Sequence, residues 1–175
     1  MNFRTAVPQD WLMIRNLHLA VSRQKTGIAR WEHEVTDEYV QEFMSKCLDS
    51  GLMIVAEHPE DPGQLIAEIH ASKSKVHVFN HLMSDLTIAV HPDFQGKKIG
   101  RTIFTIFLEE VATNRPDIGK IELYTRESNQ RALRLYESLG FRIEGRKEMR
   151  IRTPEGNYEA DIPMGWMNPN FEFDE

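Results

Sequence analysis

The stretch Gln95-Gly96-Lys97-Lys98-Ile99-Gly100-Arg101 carries the plainest chemical signal in the sequence. In a chain of formal net charge −6, three cations stand close together there, between and beside two glycines. Leu86, Ile88 and Val90 alternate before it, as in a strand, and Ile103, Phe104, Phe107, Leu108 and Val111 follow at helical spacing. A strand that turns at glycines into a helix start presents unpaired amides and the positive end of the helix dipole, which together suit an anion. Gly96 and Gly100 permit close backbone approach, and Lys97, Lys98 and Arg101 add full charges. The spacing is neither the Gly-x-Gly-x-x-Gly of dinucleotide folds nor a nucleotide P-loop, whose lysine follows its second glycine. Read alone, the loop fits a plain basic strand-to-helix turn equally well.

Other reactive side chains give weaker signals. Cys47 is the only cysteine, which excludes an internal disulfide and a thiolate metal cluster; at its place on an apolar helical stripe it reads as a small core hydrophobe. The histidines show no tight ligand pair, and His70, His77 and His81 are widely spaced, so no metal site is expected.

The elements that must position these residues follow from hydrophobic period. Phe3 to Val7 reads as a strand. Pro8 and Asp10 suit the first turn of a helix with Ile14, Leu17 and Val21 on its apolar face. Ser22 to Val35, with Gly27, reads as a loop. Thr36 is the expected N-cap of a second helix whose stripe is Val40, Phe43, Met44, Cys47 and Leu48 and which Gly51 ends. Leu52 to Ala56 and the alternating set Leu65, Ala67, Ile69 and Ala71, with polar neighbours, form a hairpin around Asp61-Pro62-Gly63. A strand from Leu82 to Val90 leads into the basic loop and a helix ending near Pro116. Ile121 to Thr125 is a strand, and Ser128 is expected to cap a helix carrying Ala132, Leu135, Tyr136 and Leu139, closed by Gly140. A final hairpin begins at Phe141, Ile143 and Gly145, turns near Pro154 and Gly156, and returns through Ile162, Met164 and Trp166. The order is βααβββαβαββ, a mixed-sheet α/β domain over residues 1–168, with a short acidic tail, 169–175, expected to fray.

Bulk properties narrow the function classes. At 175 residues, 41% hydrophobic and 27% charged, the chain suits one soluble globular domain. The acidic balance argues against nucleic acid as partner and is compatible with a cationic substrate. No apolar run nears the roughly 20 residues of a membrane span, and the first residues lack a secretory pattern, so no membrane partner and a cytoplasmic location are expected.

Two segments together resemble a known family. Gln95-Gly96-Lys97-Lys98-Ile99-Gly100 is similar to the Gln/Arg-x-x-Gly-x-Gly/Ala loop of the GNAT N-acetyltransferase superfamily. Asn129 through Phe141 matches its second signature, Asn-x-x-Ala-x-x-Leu-Tyr-x-x-x-Gly-Phe, at every signature position. The resemblance covers nearly the whole chain. It implies a mostly antiparallel sheet of about seven strands with helices on both faces, and acetyl-CoA as the acetyl donor. Lys98 departs from the pattern, standing where the first signature glycine is usual; at positive φ a lysine there costs about 1–2 kcal/mol.

The resemblance also implies roles. The diphosphate of acetyl-CoA would rest on the backbone from Gln95 to Arg101, its pantetheine arm along Ile88, Ala89 and Val90 like an added strand, with Asn129 and Ala132 on the other side. Transfer to an amine needs a proton acceptor, an oxyanion donor and a proton for the leaving thiolate. Asp85 is the first candidate for the acceptor and Glu68 the second; the Val90 N–H is the oxyanion donor and Tyr136 the acid. A small-molecule primary amine is the leading substrate, a protein N-terminal α-amine the next, and a non-catalytic acyl-CoA sensor the third reading. A homodimer is compatible with all three.

Overall fold

The structure, a computed structural model, describes residues 1–24 and 27–172. Lys25 and Thr26 of the expected 22–35 loop, and residues 173–175 of the expected tail, lie outside the described residues. Along the chain run β1 (Phe3–Thr5), α1 (Trp11–Ser22), α2 (Asp37–Ser50), β2 (Leu52–Glu57), β3 (Leu65–Lys73), β4 (Leu82–Val90), α3 (Ile99–Asn114), β5 (Lys120–Arg126), α4 (Gln130–Ser138), β6 (Arg142–Ile143), β7 (Lys147–Arg152) and β8 (Tyr158–Met167). One sheet of eight strands has the order β1-β2-β3-β4-β5-β8-β6, with β7 also paired to β8. Among the described residues only the β4–β5 pair is parallel; the others are antiparallel.

Helices cover both faces, and the strand period decides which side chain meets which helix. On β2, Ile54 and Ala56 join the core under α3 and α4, whereas Met53 and Val55 join the core under α1 and α2. Phe104 and Phe107 of α3 are fully buried, each burial stabilising by about 1.5–3 kcal/mol. Thr36 Oγ1 accepts from Tyr39 N at 3.2 Å and caps α2 as its sequence predicts, and Gly51 ends that helix. Leu48, expected on the apolar stripe, is turned to solvent.

Three local expectations are corrected. The cap of α4 is Asn129, not Ser128: its Oδ1 accepts from Ala132 N at 3.2 Å. The strand expected after Phe141 is two strands, β6 and β7. Pro163 of β8 accepts from Glu144 N through its carbonyl but has no N–H to return, so the ladder lapses there. Beyond Asn168 the chain is tied down instead of frayed through Phe171, since Asn170 Nδ2 donates to the Ala112 carbonyl and the Phe171 ring lies against Gly119.

Candidate active site

The site begins where two parallel strands part. Among the described residues β4 and β5 pair only at Leu82↔Lys120 and Met83↔Ile121. Beyond that point β4 carries a bulge: between the pairs His70↔Thr87 and Ser72↔Ser84, Ala71 alone faces Asp85 and Leu86. Asp85 takes a left-handed conformation there, φ 56°. A bulge bends the strand that bears it, and here the bend accompanies the opening of a cleft between β4 and β5.

The parting leaves backbone groups without a strand partner. In the β3–β4 ladder His91 N donates to Ile66 O, so alternate residues Ala89 and Thr87 face β3. Ile88 and Val90 therefore turn their N–H and C=O groups toward the cleft. The Val90 carbonyl is taken by Gln95 Nε2 at 3.0 Å, and the same amide nitrogen bonds Gln24 Oε1 at 2.7 Å.

The basic loop closes one end of the cleft. Lys98 is the N-cap of α3 at φ 64°, ψ 4°, and Gly96 has φ 78°, so the chain turns through left-handed residues into the helix. The first helical bond runs from Thr102 N to Lys98 O; the amides of residues 96–101 have no protein acceptor among the described residues. A Cβ on Gly100 would lie 3.5 Å from Val90 Cγ2, ordinary contact, so this glycine is not demanded by packing.

The cleft has a volume of about 430 Å³, and its lining holds Lys98, Arg101, Arg126 and Arg131 but no carboxylate among the described residues. Arg126 and Arg131 were not singled out by sequence. Tyr136 reaches it from α4, packed beside Phe104 and Phe141, and its hydroxyl has no protein hydrogen-bond partner among the described residues. Burial pushes the phenol up to about 12, so it keeps its proton at neutrality and can donate it.

A second chamber, about 410 Å³, opens beside the first; both are lined by Ile28, Ala29, Leu86, Thr87 and Tyr124. It is charged on all sides, with Glu42, Asp85 and Asp161 set against Arg30, Lys46 and Arg150. Asp85 is exposed, and Ser72 Oγ lies 3.4 Å from its Oδ2. Burial pushes the Asp161 carboxyl up, against the pull of Arg150, whose Nε is 3.1 Å away.

Behind this chamber lies a polar trio that sequence spacing did not assemble. His70 Nδ1 is 2.7 Å from Glu68 Oε1, and His18 Nε2 is 2.9 Å from Glu68 Oε2. His18 and Glu68 are 0% exposed and His70 4%. Burial pushes the Glu68 carboxyl up, but the two histidines on its oxygens outweigh it and hold it down at about 2. The ligand atoms of the three lie within 4.8 Å of one another, the geometry of a metal triad as well as of a hydrogen-bonded one.

Most sequence-derived site residues converge on the cleft: Ile88, Val90, Gln95, Gly96, Lys98, Ile99, Gly100, Arg101, Asn129, Ala132 and Tyr136 all line it. Ala89 does not; its backbone faces β3 and its side chain packs under α1 and α2. Lys97 does not either, since its Nζ sits 4.8 Å over the Phe94 ring. Asn129 accepts the helix-cap bond at Oδ1, and its Nδ2 has no protein partner among the described residues. Glu68 lines neither of these two cavities and lies behind His70, whose Nδ1 is 2.7 Å from its Oε1. Cys47 is buried and its thiol pushed up to about 12 by burial, as suits a core residue.

A mixed sheet parted between two parallel strands, with an open amide loop at the mouth, is the arrangement that the resemblance of the two sequence segments implied. The model of the acetyltransferase (GNAT) family matches residues 11–141, and the chain belongs to that family, acyltransferases whose co-substrate is acetyl-CoA. A [ribosomal protein bS18]-alanine N-acetyltransferase of Salmonella typhimurium is 36% identical over 75 residues, 43% of this chain and 49% of that protein. A mycothiol acetyltransferase of Brachybacterium faecium is 34% identical over 68 residues, 39% of this chain and 20% of that one. The matches thus span about half of the first relative and a fifth of the second. Among solved structures, a phosphinothricin acetyltransferase from Sinorhizobium meliloti in complex with acetyl-CoA superposes with TM-score 0.83 at 17% identity, over 99% of this chain and 91% of that one.

Proposed function

We propose that this protein transfers the acetyl group of acetyl-CoA to a primary amine of a small molecule, by direct attack with both substrates bound. The observation that carries the proposal is the pair of neighbouring cavities: a cleft with open backbone groups and, among the described residues, only cationic charge, and a chamber of mixed charge meeting it at Leu86, Thr87 and Tyr124. Diphosphate binds the amides of residues 96–101, with Lys98 and Arg101 beside them. The pantetheine arm lies along Ile88 and Val90. The Val90 N–H steadies the oxyanion, and Tyr136 protonates the departing sulfur. Asp85, at the chamber, attracts the incoming ammonium.

The chamber's size falls within the range usual for small-molecule sites, about 300–1,000 Å³, which favours a small amine. Similarity to a ribosomal-protein alanine acetyltransferase supports a second reading, a protein α-amine as acceptor. Thiol release from acetyl-CoA, measured with a panel of small amines, amino acids and peptides with free N-termini, tests both. Turnover confined to peptides would replace the small-molecule reading. Binding of CoA without release in any arm would leave a sensor.

A further inference from the structure

Resting on the acetyl-transfer reading above, we propose that His70 is the general base, accepting the ammonium proton at Nε2, with Glu68 and His18 as positioning residues behind it. The 2.7 Å contact to Glu68 Oε1 places the hydrogen of the neutral ring on Nδ1. That leaves the Nε2 lone pair, which has no protein partner among the described residues, on the chamber side that His70 lines. The ring cannot swing freely, because Phe43 stacks on it at 4.3 Å and 9°. Glu68 is fixed in turn by His18 Nε2 on its other oxygen. His18 Nδ1 is buried without a partner, so a hydrogen there would have no acceptor, and the hydrogen belongs on Nε2 where Glu68 receives it. The arrangement is a carboxylate holding an imidazole in the tautomer that can take a proton.

Two alternatives read less well. A metal among the three would have to take the place of the hydrogens that the 2.9 and 2.7 Å N–O distances suit, and those distances are ordinary for hydrogen bonds. Asp85 is exposed with a single long contact at 3.4 Å. An ordinary carboxylate, with a pKa of about 4, is also a poorer match than an imidazole, about 6.5, for an alkylammonium near about 10. His70 pairs in register with Thr87, one of the residues where chamber and cleft meet, so the base stands beside the junction. The charged groups facing the same chamber are Glu42 and Lys46 from α2, Arg30 ahead of it, Asp85 from β4, Arg150 from β7 and Asp161 from β8. Tyr39, Cys47 and Tyr124 complete its titratable lining.

Protons and electrons balance as follows. The ammonium gives one proton to His70 Nε2, and the freed nitrogen pair forms the C–N bond to the acetyl carbon. The C–S pair leaves on sulfur, which takes the Tyr136 proton. The second nitrogen proton restores the phenol, the amide keeps the third, and His70 returns its proton to water.

Two measurements test the assignment. Imidazole ¹⁵N NMR on the wild-type protein should show neutral His70 with hydrogen on Nδ1 and a bare Nε2; a bare Nδ1, or stoichiometric bound metal in the purified protein, overturns it. This readout holds whether or not any amine is acetylated, so it stands apart from failure of the acetyl-transfer reading, which would appear as no wild-type turnover. Kinetically, His70→Gln should lower kcat/KM for the amine on the order of 10²-fold near neutrality, with the deficit shrinking as pH approaches the amine's own pKa. CoA-induced stabilisation should be unchanged, and Asp85→Asn should keep the wild-type acid limb. A His70→Gln profile of unchanged height and shape, or loss of the limb in Asp85→Asn instead, sinks the proposal.

Discussion

The cleft and the chamber lie side by side but are made of different material. The cleft is mostly backbone: the edge groups of Ile88 and Val90, the amides of residues 96–101, and a rim of cations. The chamber is side chain, gathered from α2, β3, β4, β5, β7 and β8. A backbone site is specified by a few local conformations and tolerates most side chains. A side-chain site is specified by long-range register and fails when one partner is lost. Constant chemistry suits the first kind of site, and a particular acceptor suits the second.

The largest break in this contrast should come from Glu68→Ala. It leaves an N–H on each of His18 and His70 buried without its acceptor, a loss of about 1–3 kcal/mol for each in urea or thermal unfolding. The wild-type carboxyl, at about 2 against an ordinary 4.5, contributes stability that is fully present above 4.5 and is lost as pH falls from there toward 2. Glu68→Gln, which cannot ionise, should therefore show a flatter acid limb of stability than wild type. Equal limbs would mean that the trio does not hold its charge as drawn.

Tyr136→Phe comes next and acts from the cleft. It should lower kcat on the order of 10²-fold while CoA still raises the melting temperature as in wild type, because only the leaving-group proton is removed. Unchanged kcat would make Tyr136 a packing residue against Phe104 and Phe141.

These two residues differ in how far the sequence disclosed them. Tyr136 sits in a local signature on one helix, where spacing alone sets its neighbours. Element positions were legible for the same reason, since the periods of α1 to α4 and β2 to β5 are local. Glu68 was named as the second candidate acceptor, but its burial and its contact with His70 were hidden by their alternation with Ala67, Ile69 and Ala71, which reads as a half-exposed strand. In a sheet covered on both faces the polar alternates of β3 are buried too, and must find partners. That signal was available: two-sided helical cover was expected, and a central strand under it should place any Glu or His in contact with another polar group. His18 lies 50 residues from Glu68, and nothing local links them. The β6–β7 break was missed because it depends on Pro163 in the opposite strand.

Asp85→Asn should have a smaller effect. Asparagine also tolerates the left-handed backbone at φ 56°, so the bulge survives. If Asp85 only attracts the ammonium, KM for the amine rises by about threefold to tenfold, less at high salt, with kcat kept. A fall in kcat with KM unchanged would assign it to the chemistry.

Lys98 should give the smallest effect of all, because opposing contributions meet in one residue. Its φ of 64° costs a side chain about 1–2 kcal/mol, which glycine would relieve. Glycine would also loosen the unfolded chain, taking back about 0.4–1 kcal/mol of that gain. For binding, the backbone amides of residues 96–101 remain in the Lys98→Gly variant, and only one cation on the rim is lost while Arg101 stays. An exposed charge near a diphosphate contributes on the order of 1 kcal/mol, less as salt rises. Lys98→Gly should therefore change acetyl-CoA affinity by less than about tenfold. Lys98→Glu should weaken it more, and most at low salt, since it places a carboxylate in a cleft that otherwise has none among the described residues. Calorimetry across a salt series separates the two terms. Equal, salt-independent affinities for the glycine and glutamate variants would show the lysine turned away from the phosphates, and the backbone would then hold the anion without it.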